Sequence, residues 1–121
     1  MMEKKFTLSL LLDFYGELLT EKQREIMTLY FNDDLSLSEI AADCGITRQA
    51  AHDTIRRTEG ILEGYEQTLG LLARYQKLVQ SLSQVEKAVA ELSPHVSQSG
   101  GIPLQRLQDT IRLLRQQIEA D

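Results

Sequence analysis

The chain has 121 residues, of which 42% are apolar and 26% charged, a balance typical of one folded domain or of a small domain with an appendage. This composition excludes a disordered or fibrous chain, and the single cysteine, Cys44, excludes an internal disulfide framework. The net charge of −5 has the wrong sign for a protein that binds polyanions through bulk electrostatics.

Helix signals follow one another along the first half of the chain. The periodic apolar residues of segment 4–18 predict an amphipathic helix. Thr20 and Ser36 each stand three residues before a Gln or Glu, a spacing that predicts two capped helix starts. Residues 32–34, Asn-Asp-Asp, predict the turn between these helices, because such side chains bond locally to the backbone. Gly45 then predicts the end of the third helix.

The second half of the chain predicts longer helices with one linker between them. Residues 48–92 contain no proline, and their glycines predict a break near Gly64. Apolar residues recur at heptad spacing from Leu78 to Leu92 and again from Leu104 to Ile118. The intervening segment 93–103 is rich in Ser and Gly and predicts a linker.

The segment from Ser36 to Gly60 has the pattern of a helix-turn-helix, although a plain helical hairpin is the alternative interpretation. Gly45 makes the tight turn, and Thr47 caps the second helix. The apolar side of that helix is formed by Ala51, Ile55, Thr58 and Leu62. The opposite side carries groups that can donate to phosphates or base edges. The candidate nucleic-acid-binding residues are Thr47, Arg48, Gln49, His52, Asp53, Arg56 and Arg57.

Residues 17–62 carry a family resemblance. Their sequence, ELLTEKQREIMTLYFNDDLSLSEIAADCGITRQAAHDTIRRTEGIL, resembles region 4 of bacterial sigma factors. From Phe6 to Tyr75 the chain looks like the YlxM family of small bacterial helix-turn-helix proteins. This resemblance implies a DNA-binding regulator and, because the family's gene usually neighbours that of the signal recognition particle GTPase, a part in protein targeting. This chain departs from the sigma region 4 pattern at His52, where that pattern has an arginine.

The charge distribution leaves other functions open. Residues 1–64 hold seven Lys or Arg against twelve Asp or Glu, whereas residues 65–121 balance at six and six. A protein that contacts many phosphates usually has a basic face. The cations available here are Lys22, Arg24, Arg48, Arg56 and Arg57. A non-enzymatic adaptor that binds the protein or RNA of the signal recognition particle is therefore the alternative to DNA binding, and a purely structural dimer is a third possibility.

Nothing in the sequence indicates catalysis, a cofactor or a metal site. There is no glycine loop for phosphates or dinucleotides and no pairing of a nucleophile with a base. His52 and His95 are distant in sequence, and no cysteine or carboxylate is spaced to join them as a metal ligand. Cys44 is interpreted as a small core residue. Without an apolar run of about 20 residues or a secretory signal, we expect a cytoplasmic protein that is not an enzyme.

The expected architecture is therefore all-α. A sigma region 4-like helix-turn-helix domain occupies residues 1–64, and a helical tail follows over residues 65–121 with a long helix, the linker and a C-terminal helix. The two heptad seams of the tail predict a homodimer, because each seam exposes apolar side chains that a single helix cannot bury. An intramolecular hairpin between the seams is the rival arrangement.

Overall fold

A computed structural model describes residues 2–119, and all regular secondary structure in that range is helical. The helices are α1 (Met2–Tyr15), α2 (Glu21–Phe31), α3 (Leu37–Cys44), α4 (Arg48–Leu69), α5 (Leu71–Leu92) and α6 (Gly101–Glu119). One 3-10 turn, Gly16–Leu18, follows α1, and two more, Ser93–His95 and Gln98–Gly100, lie between α5 and α6. The predicted all-α fold is confirmed.

The first compact unit ends at Leu72 and packs α1 to α4 around one apolar core. Side chains from all four helices are almost completely buried there: Leu8, Leu11, Tyr15, Ile26, Met27, Ile40, Ala51, Ile55 and Leu62. Burial of each large aliphatic side chain contributes about 1.5–3 kcal/mol. The core therefore fixes the positions of α3 and α4 against α1 and α2.

Local signals place the helix starts of this unit as predicted. The Thr20 hydroxyl accepts from the Gln23 N–H at 3.2 Å, and the Gln23 side chain accepts from the Thr20 N–H at 3.0 Å. Ser36 and Glu39 form the same reciprocal pair at 3.1 and 3.0 Å. In the turn between α2 and α3, Asp34 has a φ of 57°, a left-handed conformation that Asp tolerates better than most residues. Both capping boxes and the turn are confirmed.

The expectation of a helix break near Gly64 is wrong. Helix α4 continues through Gly60 and Gly64 and ends at Gly70, which has a φ of 63°. A glycine inside a helix lowers stability by roughly 1 kcal/mol relative to alanine but does not break the helix. A left-handed residue does end it, and Gly70 adopts that conformation most readily.

The Tyr15 side chain, distant in sequence, and the Glu66 side chain, from the last turn of α4, cap the helix that begins after Gly70. The Tyr15 hydroxyl accepts from the Leu71 N–H at 3.1 Å and donates to the Glu66 carboxylate at 2.6 Å. The same carboxylate accepts from the Leu72 N–H at 3.0 Å. Burial raises the pKa of the Tyr15 hydroxyl, and the hydrogen bond to Glu66 raises it further. These bonds satisfy the first free amides of α5 and so stabilise the start of that helix after the turn at Gly70.

The second compact unit begins at Ala73 and is a hairpin of α5 and α6. Its core contains Leu82, Val89 and Ile111, with Leu104 and Ile118 packed against them. The Arg115 guanidinium donates to Glu86 at 2.9 Å and to Glu119 at 2.7 Å, and the Arg115 hydrogen bond holds the pKa of Glu86 below its usual value. The two heptad seams therefore pair within the chain.

The predicted linker is shorter than expected. Helix α6 begins at Gly101, so Pro103 lies in its first turn rather than ahead of it. A proline is tolerated there because the first N–H groups of a helix have no partner within the helix. The segment 93–100 connects α5 to α6 through two 3-10 turns.

Candidate nucleic-acid interface

The turn between α3 and α4 has the geometry of a helix-turn-helix. Gly45 adopts a φ of 67° and ends α3, and the Ile46 N–H donates to the Ala41 carbonyl at 3.0 Å. The Thr47 hydroxyl then accepts from the Ala50 N–H at 3.0 Å and caps α4. Three residues thus reverse the chain, and Ile46 packs against the core beneath the turn. The predicted positions of the turn and the cap are confirmed.

The apolar side of α4 is the one predicted from helical spacing. Ala51, Ile55, Thr58 and Leu62 are all buried. Thr58 is polar yet 0% exposed, and its hydroxyl donates to the Thr54 carbonyl at 2.7 Å, so burial leaves no donor unpaired. Because one side of α4 is fixed against the core, the opposite side is held outward in a single orientation.

That opposite side, here called the α4 face, comprises the predicted residues Thr47, Arg48, Gln49, His52, Asp53, Arg56 and Arg57. His52 is half-buried, and the other residues of the face are exposed. Within residues 2–119, the side chains of Arg48, Arg56 and Arg57 form no hydrogen bond or ion pair. Their guanidinium groups are therefore available to an external acceptor, and they offer the fork geometry that suits phosphates and guanine.

Gln49, His52 and Asp53 interact with one another on the α4 face. The Gln49 amide donates to the Asp53 carboxylate at 2.9 Å, and His52 Nδ1 lies 3.7 Å from the same carboxylate oxygen. His52 Nδ1 is shielded from solvent and has no hydrogen-bond partner among the described residues. Asp53 therefore holds the Gln49 amide through one N–H, which leaves the second N–H and the carbonyl oxygen of that amide available to a base.

The cations predicted outside α4 lie elsewhere on the first unit. The Arg24 side chain runs beside Gly16, so that a Cβ added to Gly16 would lie 3.6 Å from Arg24 Cδ. The charge of Lys22 partly offsets the upward shift in the pKa of the Cys44 thiol, which lies just before the turn. A further cation, Lys4 of α1, lies beside His52 and Arg56 and 3.9 Å from Glu59, and sequence reasoning missed it. No local sequence pattern predicts the position of Lys4, because its place beside α4 depends on the packing of α1.

Cys44 packs against the core as a half-buried side chain, as predicted. Burial raises the pKa of its thiol, and the charges of Glu25 and Asp43 raise it further. Such a thiol is less nucleophilic at neutral pH than a free one. Across residues 2–119, no three His, Cys, Asp or Glu side chains come together as a metal site. None of the described helices is both long and apolar enough to span a membrane.

One protein family matches most of the chain. The model of the UPF0122 family, described as "Putative helix-turn-helix protein, YlxM / p13 like", matches residues 2–99. The chain belongs to this family. The predicted YlxM resemblance is therefore confirmed, and the matched residues include both helices of the helix-turn-helix and the whole α4 face.

Individual relatives match over a shorter segment. UPF0122 proteins of Shouchella clausii (strain KSM-K16), Bacillus cereus (strain AH187) and Bacillus thuringiensis subsp. konkukian (strain 97-27) are 55%, 54% and 54% identical to this chain over 69 residues. In each pair, the matched segment covers 57% of this chain and 63% of the relative. The chain thus aligns with less than two thirds of the length of these relatives.

Proposed function

We propose that the chain is a cytoplasmic DNA-binding regulatory module that reads DNA with the α4 face. In helix-turn-helix proteins, the N-terminal residues of the second helix contact base edges in the major groove. Arg48 and Gln49 occupy that part of α4, and Arg56 and Arg57 follow two turns later. The observation that carries the proposal is the set of three arginines without internal partners, held outward by the buried side of α4.

The proposal predicts that loss of one arginine from the α4 face weakens DNA binding. Replacing Arg56 by Ala removes a bidentate donor, so we expect binding to genomic fragments to weaken by about 1–3 kcal/mol. Replacing Arg57 by Ala removes a flanking phosphate contact and is expected to lower the salt dependence equally for all sequences. Fluorescence anisotropy at low salt measures both effects.

The matched control is Arg106→Ala, which removes an exposed arginine from α6 in the second unit. This variant has the same charge change and is expected to bind DNA like the wild type. If Arg56→Ala, Arg57→Ala and Arg106→Ala all bind equally, the α4 face is not the DNA-binding surface.

A second candidate function is supported by the charge balance. Residues 1–64 carry five more acidic than basic side chains (twelve against seven), which is unfavourable for approach to DNA. The alternative is a non-enzymatic adaptor whose α4 face binds the protein or RNA of the signal recognition particle. Recovery of the native protein from cells, with nucleic acid and protein identified separately, distinguishes the two: DNA supports the regulator, and targeting-particle components support the adaptor.

The proposed active form is a homodimer assembled through the second unit. The residues Leu82, Val89 and Ile111 of the two seams are buried within the hairpin. Other apolar residues of the same two heptad seams stay 42–50% exposed: Leu78, Val85, Leu92, Leu107 and Leu114. Such a two-helix face is typical of half of a four-helix bundle, and a second copy carries a face with the same heptad spacing. A dimer would also place two half-site contacts on one DNA molecule.

A further inference from the structure

A groove of about 240 Å³ opens beside the α4 face in the first unit. It is lined by residues of α1, α2, α3 and α4: Lys4, Tyr30, Leu37, His52, Ile55, Arg56 and Glu59. Its volume equals that of about eight water molecules, which leaves room for a phosphodiester group. His52 and Arg56 belong both to the groove and to the α4 face, so a ligand in the groove contacts the same surface.

Cationic side chains from two helices meet in this groove. Arg56 has no internal partner among the described residues, and Lys4 from α1 is 69% exposed. His52 adds a ring that can donate a hydrogen bond. Along α4, His52 and Arg56 lie one to two turns beyond Arg48 and Gln49, the positions expected to contact bases. In helix-turn-helix complexes, the DNA backbone runs along the flanks of the helix that enters the major groove.

The groove also contains one acidic side chain. Glu59 is 21% exposed and faces Lys4, with 3.9 Å between Nζ and the carboxylate oxygen. This separation is within ion-pair range but too long for a hydrogen bond, so the Lys4 ammonium stays free to turn toward another anion. Lys4 thus has two effects on an incoming phosphate: it attracts the phosphate directly, and it offsets the repulsion from Glu59.

We propose that this groove is a phosphate subsite in which Lys4, His52 and Arg56 hold one backbone phosphate of DNA. The inference rests on the proposed DNA-binding function and extends the interface from the helix-turn-helix to α1. It also accounts for how an acidic domain can bind a polyanion, because the local charge of the groove differs in sign from that of residues 1–64 as a whole.

The test measures the affinity of the full-length protein for a labelled random-sequence DNA duplex across a range of salt concentrations. For Lys4→Gln we expect weaker binding and a slope of log K against log salt that is smaller by about 0.9, the value for one phosphate contact. For Glu59→Gln we expect binding that is stronger by roughly two- to fivefold, because a like charge is removed beside the phosphate. A gain in affinity cannot arise from misfolding.

The matched control is Lys5→Gln. Lys5 lies next to Lys4, pairs with Asp34 at 2.9 Å and does not line the groove, so its loss is expected to leave the slope unchanged. If Arg56→Ala weakens binding while Lys4→Gln and Glu59→Gln behave like Lys5→Gln, the phosphate subsite is wrong and the proposed function stands. If the wild-type protein does not bind the duplex at low salt, both proposals fail.

Discussion

Gly45 is the residue on which the direction of α4 depends. Its φ of 67° lies in the left-handed region, and a Cβ added there would meet no atom within 4 Å. The demand for glycine is therefore set by the backbone conformation and not by crowding. Gly64, by contrast, lies inside α4 with an equally open Cβ position and an ordinary helical backbone.

This contrast predicts opposite effects for two glycine substitutions. Gly45→Val is expected to destabilise the protein by about 1–3 kcal/mol, because a β-branched residue is strained at positive φ. Gly64→Ala is the control and is expected to stabilise it by about 0.5–1 kcal/mol, because alanine restricts the unfolded chain. Thermal unfolding followed by circular dichroism measures both. Equal melting temperatures for Gly45→Val and the wild type would show that the turn does not depend on Gly45.

Among the elements, those defined by local signals could be predicted from the sequence and those defined by distant contacts could not. The caps at Thr20, Ser36 and Thr47 bond to amides three residues away, so their sequence spacing is sufficient to locate them. The buried side of α4 was equally predictable, because helical periodicity alone selects it.

The boundary between α4 and α5 could not be predicted without knowledge of the tertiary structure. The bonds of Tyr15 to Glu66 and Leu71 join residues 51 and 56 positions apart. No local pattern distinguishes Gly70 from Gly60 and Gly64 as the helix end, so the break was predicted near Gly64, six residues too early. The candidate site follows the same rule: the α4 face was predictable from its helix, whereas Lys4 reaches the groove only through the packing of α1.

At the scale of the whole molecule, the second unit has an apolar face that the packing of α5 against α6 leaves uncovered. Five heptad side chains stay roughly half exposed while their neighbours in the same seams are buried. Large apolar faces of this kind are uncommon on monomers and mark interaction surfaces. In the proposed dimer, two DNA contacts on one assembly would reinforce each other, which would offset the unfavourable charge of the acidic first unit.

The dimer proposal predicts a mass of twice 13.8 kDa by light scattering at micromolar concentration. Val85→Lys introduces a charge into the unpaired face and is expected to return the protein to the monomer mass without loss of helicity. Gln84→Lys adds the same charge at the exposed neighbouring position and is expected to leave the dimer intact. A wild-type mass near 13.8 kDa would show that the hairpin is complete within one chain.

The central claim is that the α4 face contacts DNA, and photo-crosslinking in living cells tests it most directly. A photoreactive amino acid replaces Gln49 on the α4 face or, as a control, Gln67 near the end of the same helix. The measurement is the identity of the molecule attached at each position after irradiation. We predict DNA at position 49 and none at position 67. Protein or RNA at position 49 without DNA would contradict the DNA-binding account and favour the adaptor.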